Sequence, residues 1–276
     1  MTQGTAGSAG TGSTGAGGSD TGAGAEGPRP SAGRVIFVTG VGTEVGKTVT
    51  TAAVASAALQ GGLRVAVLKP GQTGVAPDEP GDVDEVVRLA GPLTTRELVR
   101  YPEPLAPDTA ARRAGMATPA PEQVAAATAE LAGRHDLVLV EGAGGLLVRY
   151  DEHGHTLADM ALAAADLGLR PEILVVAAAG LGTLNITALT AEALRARGLA
   201  QLGVVVGSWP TDADLAARCN LADLPSVAQA PLLGALPEGA ARSTAFPALA
   251  LAALAPALGG HWDAAAFTAA HQVPHP

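Results

Sequence analysis

The stretch that decides the fold runs from residue 39 to residue 48 and reads Thr39-Gly40-Val41-Gly42-Thr43-Glu44-Val45-Gly46-Lys47-Thr48. It follows a short apolar run and opens an Ala-rich segment, as a phosphate loop between a strand and a helix does. Glycines let the backbone fold around an anion, the amides at the helix start point toward its oxygens, and Lys47 adds a positive charge. The loop is a variant, because its opening glycine, Gly40, lies one residue earlier than in the common spacing. We therefore predict phosphate binding here, with the hydroxyl of Thr48 bound to magnesium.

Outward from this loop, short Val/Ile/Leu-rich runs alternate with Ala/Leu-rich stretches at helical spacing, which is typical of βαβ units and a mainly parallel sheet. Candidate strands cover residues 35–39, 65–69, 137–141, 173–177, 204–208 and 232–236. Candidate helices cover residues 46–60, 82–90, 121–133, 157–167, 186–198 and 212–219, with a further one beginning near residue 245. We predict an α/β protein with the P-loop NTPase fold, in which helices flank both faces of a mostly parallel sheet.

The composition changes along the chain and suggests its domain organisation. Residues 1–33 are mostly Gly, Ala, Ser and Thr and offer little apolar surface to offset the entropy of ordering. We expect a disordered tail over residues 1–33, a single P-loop α/β domain over residues 34–255, and a partly disordered C-terminal extension over residues 256–276.

Charge and hydropathy exclude several classes of partner. The formal net charge is -9 and Lys and Arg do not cluster, which argues against a nucleic acid partner. The N-terminal segment lacks the features of a signal peptide and the later apolar runs are too short to span a bilayer, so we expect no membrane partner and a cytoplasmic protein. The one cysteine, Cys219, has no activating neighbour in sequence and is interpreted as an incidental thiol.

Two further motifs follow predicted strands, at the sheet edge where ligands bind in open α/β folds. They read Lys69-Pro70-Gly71-Gln72-Thr73-Gly74 and Glu141-Gly142-Ala143-Gly144-Gly145. Lys69 would meet a phosphate or another anion, and Glu141 would hold magnesium opposite Thr48, with Asp82 or Asp84 as a second carboxylate. The competing interpretations are a solvated lysine at a strand end and an acid at a loop edge.

Taken in order, the motifs G-x-G-T-E-V-G-K-T, K-P-x-x-T-G, V-E-G-A-G-G and G-x-L-N resemble those of the dethiobiotin synthetases. They span most of residues 35–240. The phosphate loop alone is shared widely among relatives, whereas its combination with the Lys69 and Glu141 motifs is more selective. The resemblance implies an enzyme that closes the ureido ring of biotin.

The resemblance also implies roles for matching residues. Lys47 would act on the transferred phosphate and Lys69 on the carbamate, so both are expected to take part in catalysis. The implied nucleotide contacts are Gly42, Thr43, Glu44, Val45, Gly46, Lys47, Thr48 and Glu141. The implied magnesium ligands are Thr48, Asp82 and Glu141, with Asp84 as the alternative to Asp82 if the alignment slips. The implied substrate contacts are Thr73, Gly144, Gly145 and Asn185.

The implied reaction begins when one amine of 7,8-diaminononanoate takes up CO2 to form a carbamate. ATP phosphorylates the carbamate, and the second amine attacks the mixed anhydride, giving dethiobiotin, ADP and phosphate. Two lysines and Mg2+ would stabilise the charge that spreads over the reacting groups, and positioning would make ring closure effectively intramolecular. No protein nucleophile is needed.

A homodimer is implied as well, in which the partner's backbone amides near the G-x-L-N loop bind the substrate carboxylate. Here the loop is Gly182-Thr183-Leu184-Asn185, which opens the helix predicted from Ile186. Carboxylate capture at this helix start and simple capping of the helix by Asn185 are equally good interpretations. His153 and His155 are interpreted as part of a solvated loop, because no third metal ligand is apparent.

No side-chain amide that could contact the nucleotide base follows the fifth predicted strand, residues 204–208. This strand runs into Val206-Gly207-Ser208-Trp209-Pro210. Many members of the family carry an asparagine there. The residues expected to line the base pocket are instead Ser208, Leu236, Pro237 and Glu238. The resemblance implies ATP, while these residues leave another nucleoside triphosphate open.

Two other P-loop proteins fit parts of the pattern. A partitioning ATPase would carry an additional lysine near the start of the loop, where Gly42 stands. An ATP-dependent amidotransferase of cobalamin synthesis would need a glutaminase Cys/His pair, and Cys219 falls in a predicted helix rather than at a strand-to-helix elbow. The reaction product distinguishes the three.

Overall fold

The computed structural model describes residue 1 and residues 32–271. The tail predicted for residues 1–33 therefore lies almost wholly outside the described residues, as do residues 272–276. The fold described below belongs to the compact unit Ser31–Pro276.

Within the described part of the chain, the strands are β1 Arg34–Gly40, β2 Val65–Lys69, β3 Gln72–Thr73, β4 Thr94–Glu97, β5 Arg100–Tyr101, β6 Leu137–Gly145, β7 Pro171–Ala177, β8 Ala200–Trp209 and β9 Leu232–Pro237. Seven of them form one sheet in the order β4-β2-β6-β1-β7-β8-β9, and every neighbouring pair is parallel. β3 and β5 form a separate parallel pair.

The helices are α1 Lys47–Gln60, α2 Asp82–Ala90, α3 Pro107–Ala114, α4 Pro121–Ala132, α5 Leu157–Asp166, α6 Thr183–Ala196, α7 Leu215–Ala228, α8 Phe246–Ala253 and α9 Ala264–His271. Helix α1 packs against α2 and α8, and helix α4 packs against α5. Both α1 and α4 contact the central strands β1 and β6. All positions of β2, and all of β1 after its first residue, are buried, as expected of strands covered on both faces. The predicted α/β fold is confirmed.

The structure differs from the predicted pattern in four respects. The helix predicted over residues 212–219 is α7, which runs from Leu215 to Ala228 after an N-cap at Asp214. α6 begins at Thr183, three residues before the predicted start at Ile186. β4 was missed, because this edge strand has the sequence TTRE and is largely exposed, so it carries no apolar run. β3, β5, α3 and α9 were missed as well.

The carboxyl ends of β1, β2 and β6 meet at one edge of the sheet, because β6 pairs in parallel with both of the other strands. This arrangement brings the phosphate loop, the Lys69 motif and the Glu141 motif together. Among the described residues, none of the helices combines the length and apolarity needed to cross a membrane.

Candidate nucleotide and substrate site

The phosphate loop occupies the turn between β1 and α1. Two of its residues have a left-handed backbone, Glu44 with φ 60° and Gly46 with φ 93°. A non-glycine residue in this region is strained, and such strain tends to collect at functional sites. The Nζ of Lys47 donates a hydrogen bond to the carbonyl oxygen of Gly42 at 3.0 Å, which curls the loop around the lysine head group.

Lys69 is the centre of a buried charge cluster at the end of β2. Its side chain is 3% exposed, and its Nζ lies 2.5 Å from Asp82 Oδ2 and 2.9 Å from Glu141 Oε1. The same ammonium donates to the carbonyl oxygen of Gly142 at 3.3 Å. Thr48 Oγ1 donates to Glu141 Oε1 at 3.0 Å. Residues from three separate motifs therefore meet within hydrogen-bonding distance.

The cluster shifts the pKa of its members in opposite directions. Burial opposes the charge on Lys69, but Glu141 and Asp82 outweigh it and raise the pKa of Lys69. Burial would raise the pKa of Asp82, and the neighbouring Lys69 ammonium overcomes it and lowers that pKa. Burial and then the nearby Lys69 charge lower the pKa of Lys47, in spite of Glu141 and Asp82. Lys69 is thus a fixed cation at neutral pH.

The donor set fits magnesium. Glu141 Oε2 is buried and has no hydrogen-bond partner among the described residues, so one carboxylate oxygen is free to bind a cation. Thr48 and Asp82 offer further oxygens beside it. No cluster of three or more His, Cys, Asp or Glu residues suited to a metal occurs in the described part of the chain. The few oxygens of Thr48, Asp82 and Glu141 suit a hard cation that completes its shell with water and phosphate oxygens.

Asp82, and not Asp84, faces this cluster. Asp84 Oδ2 accepts a hydrogen bond from the backbone N–H of Gly81 at 2.7 Å, and its side chain is 54% exposed. It therefore caps α2 from the solvent side, whereas Asp82 contacts Lys69.

A cleft of about 710 Å³ opens above the cluster. The site residues predicted from the sequence that line it are Thr43, Glu44, Gly46, Lys47, Thr48, Lys69, Thr73, Asp82 and Gly144. Apolar walls come from Val49, Leu105 and Val148. Glu141 lies beneath the cleft and reaches it through its contacts with Thr48 and Lys69.

Two predicted substrate contacts, Gly145 and Asn185, lie outside the main cleft. Gly145 borders a smaller groove of about 280 Å³, which Val148 shares with the main cleft and which Ile186 and Leu189 of α6 also line. Asn185 is exposed within the first turn of α6, and the N-cap is Gly182 with φ 89°. The interpretation of Asn185 as a helix cap was therefore wrong.

The residues predicted for the base pocket lie at the ends of β8 and β9. Ser208, Pro237 and Glu238 are exposed, whereas Leu236 is fully buried and offers no side-chain surface to a ligand. The backbone N–H of Glu238 donates to the carbonyl oxygen of Trp209 at 2.7 Å, which ties the two strand ends together. Gly42 and Val45 are half-buried in the phosphate loop outside the cleft lining.

Sequence reasoning missed two side chains that shape the site. Gln72 lines the cleft and binds the start of α2, and Tyr150 accepts a hydrogen bond from the backbone N–H of Ala143 at 2.7 Å. Gln72 lies inside a quoted motif and could have been suspected from that position. His153 is exposed, and His155 Nδ1 pairs with Asp151 Oδ2 at 2.6 Å.

A parallel sheet with a glycine-rich loop between β1 and α1, and with a lysine and a threonine opening α1, defines the P-loop nucleotide-binding proteins. A family model described as an AAA domain matches residues 34–243. The chain is 63% identical over 238 residues to the "ATP-dependent dethiobiotin synthetase BioD" of Streptomyces avermitilis, covering 86% of this chain and 98% of that relative. The chain belongs to the dethiobiotin synthetase family.

Two further comparisons agree with this placement. The protein of the same name from Saccharopolyspora erythraea is 67% identical over 230 residues, covering 83% of this chain and 99% of that relative. The solved structure of chloroplast FtsY from Physcomitrella patens has a TM-score of 0.52 at 19% identity, over 88% of this chain and 66% of that chain, and supports the fold alone. The predicted resemblance is confirmed, and the family placement disfavours the partitioning ATPase and the amidotransferase.

Proposed function

We propose that this protein is the ligase that converts 7,8-diaminononanoate, CO2 and ATP to dethiobiotin, ADP and phosphate in biotin biosynthesis. The observation that carries the proposal is the convergence of Lys47 and Lys69 on one cleft with Thr48, Asp82 and Glu141. These are the only two lysines of the chain, and both belong to the site. The relatives' name supports ATP as the nucleotide.

The two lysines would serve different groups. Lys47 lies in the phosphate loop and would exchange its contact with Gly42 for the phosphate of a nucleotide. Lys69 keeps its proton because two carboxylates surround it, so it would bind the carbamate anion as a cation and would not act as a base. The carbamate oxygen would attack the terminal phosphate of ATP and release ADP, and the second amine would then attack the carbamate carbon and displace phosphate to close the ring. The cleft contributes charge stabilisation and positioning, and no covalent bond to the protein is formed.

Thr48, Asp82 and Glu141 would hold magnesium. The ion, when bound, would neutralise charge on the nucleotide phosphates. The free Oε2 of Glu141 supports this assignment, because a buried carboxylate oxygen without a partner is costly unless a cation or donor meets it.

The substrate would lie along the apolar wall of the cleft. Thr73 and Gly144 line the same cleft as Lys69, and Val148 leads from it to the smaller groove that Gly145 borders. A chain of methylene groups suits this surface. Asn185 of the partner subunit, at the start of α6 in that subunit, would lie near the carboxylate end.

We propose a homodimer that uses the face around the smaller groove. Four large apolar side chains near this groove or at the start of α6 are exposed: Leu147, Leu181, Ile186 and Leu189. Apolar clustering of this kind often indicates a protein interface.

The base pocket would be formed by Ser208, Pro237 and Glu238 together with backbone near Leu236. Because no side-chain amide is available there, the choice between ATP and other triphosphates rests on backbone groups. The experiment below therefore includes each nucleotide.

The test is to incubate purified protein with diaminononanoate, bicarbonate, magnesium and each nucleoside triphosphate in turn, and to follow dethiobiotin by mass spectrometry. We expect product that depends on the diamine and disappears in Lys47→Ala. Arg96→Ala, which removes an exposed cation paired with Glu130 away from the cleft, is the matched control and should keep activity. Folded protein that binds nucleotide but yields no dethiobiotin with any triphosphate would refute the proposal.

A further inference from the structure

Gln72 connects two parts of the site that the proposed function requires. It is 4% exposed and lies three residues after Lys69. Its Oε1 accepts a hydrogen bond from the backbone N–H of Asp82 at 2.9 Å, and its Nε2 donates to the carbonyl oxygen of Thr73 at 3.0 Å. One short segment therefore holds Asp82 twice, because Lys69 binds its carboxylate and Gln72 binds its backbone.

The backbone bond fixes the start of α2 to the rest of the domain. The first N–H groups of a helix have no partner inside the helix and need acceptors from elsewhere. At α2, Asp84 satisfies Gly81 from within the same segment, whereas Gln72 satisfies Asp82 from β3. Of these two backbone contacts, only the second relates the position of Asp82 to the position of the Lys69 motif.

Arg100 and Gln72 both lie against the segment that leads to Asp82. Arg100 pairs in register with Gln72 and donates to the carbonyl oxygens of Ala76 at 3.1 Å and Glu79 at 2.5 Å, so it holds the loop that leads to α2. A Cβ on Gly81 would lie 3.0 Å from both Arg100 Nη2 and Gln72 Oε1. A side chain at position 81 would therefore crowd both Gln72 and Arg100.

We propose that Gln72 is a positioning residue that holds Asp82 for divalent cation binding. This inference rests on the proposed function, in which Asp82 is a magnesium ligand. The carboxylate of Asp82 contacts Lys69 and would have to take the cation as a new partner. The backbone bond to Gln72 does not involve the carboxylate, so it can persist through that exchange and keep Asp82 in place.

The test compares Gln72→Met, which keeps the length of the side chain and removes both hydrogen bonds, with Gln72→Glu, which keeps an acceptor oxygen. Mn2+ binding in the presence of ADP is measured by electron paramagnetic resonance, and amide exchange of residues 82–86 by mass spectrometry. We expect Gln72→Met to weaken Mn2+ binding by about tenfold or more and to speed exchange at the start of α2. In Gln72→Glu, the amides at the start of α2 should exchange at close to the parent rate.

Gln123→Met is the matched control. Gln123 Oε1 accepts from the backbone N–H of Ala120 at 2.9 Å, so this glutamine also binds a backbone N–H at the start of a helix, α4, away from the cleft. It should leave Mn2+ binding unchanged, so loss of a glutamine bond at another helix start is separated from the positioning effect.

Asp82→Asn separates failure of this inference from failure of the proposed function. If Asp82→Asn weakens Mn2+ binding and Gln72→Met does not, the inference about Gln72 is overturned and the metal assignment stands. If neither variant changes Mn2+ binding, the assignment of Asp82 as a ligand fails and the inference fails with it. A change in the KM for diaminononanoate with unchanged Mn2+ affinity would instead assign Gln72 to the substrate and overturn the proposal.

Discussion

Gly207 of β8 and Gly46 of the phosphate loop are packed backbone to backbone. A Cβ on Gly207 would lie 2.0 Å from the carbonyl oxygen of Val45, and a Cβ on Gly46 would lie 2.5 Å from the carbonyl oxygen of Gly207. Distances this short leave no space for a methyl group at either position. The strand end thus sets where the loop lies.

Gly207→Ala is therefore expected to displace the phosphate loop. We expect nucleotide affinity to fall by about tenfold or more and the free energy of unfolding to fall by about 1–3 kcal/mol, the usual cost of overpacking. Gly133→Ala is the control, because its Cβ would meet only ordinary contacts at 3.5 Å and 3.6 Å. Isothermal titration with ADP and urea unfolding measure the two effects, and equal behaviour of the variants would contradict the packing argument.

The two lysines should titrate on opposite sides of their ordinary pKa of 10.5, since the pKa of Lys69 is raised and that of Lys47 lowered. Because the chain has only these two lysines, NMR of protein with 13C-labelled lysine should give two side-chain signals, which Lys47→Arg assigns. Two signals that both titrate at the ordinary pKa would contradict the cluster.

The same shifts predict how the lysines affect stability with pH. Lys69 has a folded pKa above its unfolded pKa of 10.5, so its contribution is fully present below 10.5 and is lost as the pH rises through the folded pKa. Lys47 has the opposite shift, so its charge costs stability below its folded pKa, and the cost disappears as the pH rises toward 10.5. Urea unfolding of Lys47→Met and of the parent between neutral pH and the ordinary lysine pKa should show the gap narrowing.

Glu141→Gln removes one partner of a buried ion pair and should be strongly destabilising. Lys69 and Glu141 are 3% and 1% exposed, and breaking such a pair leaves an incompletely compensated buried charge, at about 3–5 kcal/mol. Glu130→Gln breaks the exposed pairs with Arg96 and Arg134 and should have a much smaller effect. The free energies of unfolding of both variants come from urea titration, and similar values would show that the buried cluster contributes little.

Tyr150→Phe should affect the glycine-rich end of β6. Tyr150 is fully buried, and removing its hydroxyl leaves the N–H of Ala143 without its acceptor, at a cost of about 1–3 kcal/mol. Since Ala143 and Gly144 line the cleft, we expect the KM for the diamine to rise as well. Tyr101→Phe loses a comparable bond to Ala117 at 2.9 Å and should reduce stability without changing KM. An equal KM in the two variants would argue against a role for Tyr150 in shaping the cleft.

Leu189→Glu tests the proposed dimer face. Leu189 on α6 is 58% exposed beside the smaller groove, and a charge there should oppose burial against a second subunit. Leu215→Glu, at a residue that is 59% exposed on α7, is the control. Sedimentation velocity should find monomer for Leu189→Glu and dimer for the parent and Leu215→Glu. A parent that sediments as a monomer would refute the dimer.

The sequence by itself determined the phosphate loop, the alternation of strands and helices that gives a mainly parallel sheet, and the family. These features are local, because glycine spacing sets the loop and continuous apolar runs mark strands buried on both faces. Parallel strands also place their carboxyl ends at one edge, so Lys47, Lys69 and Glu141 could be expected to meet before any distance was known.

The tertiary structure alone decided which partners these residues take. Asp82 and Asp84 are both acidic residues in the first turn of α2, and only the packing of that helix turns one toward Lys69 and the other toward Gly81. The hydrogen bond between the backbone N–H of Asp82 and Gln72 likewise joins residues ten positions apart across a loop, and no periodic pattern in the sequence predicts it. Hydrogen-bond partners depend on how loops and helix starts meet in space, and local sequence does not encode that meeting.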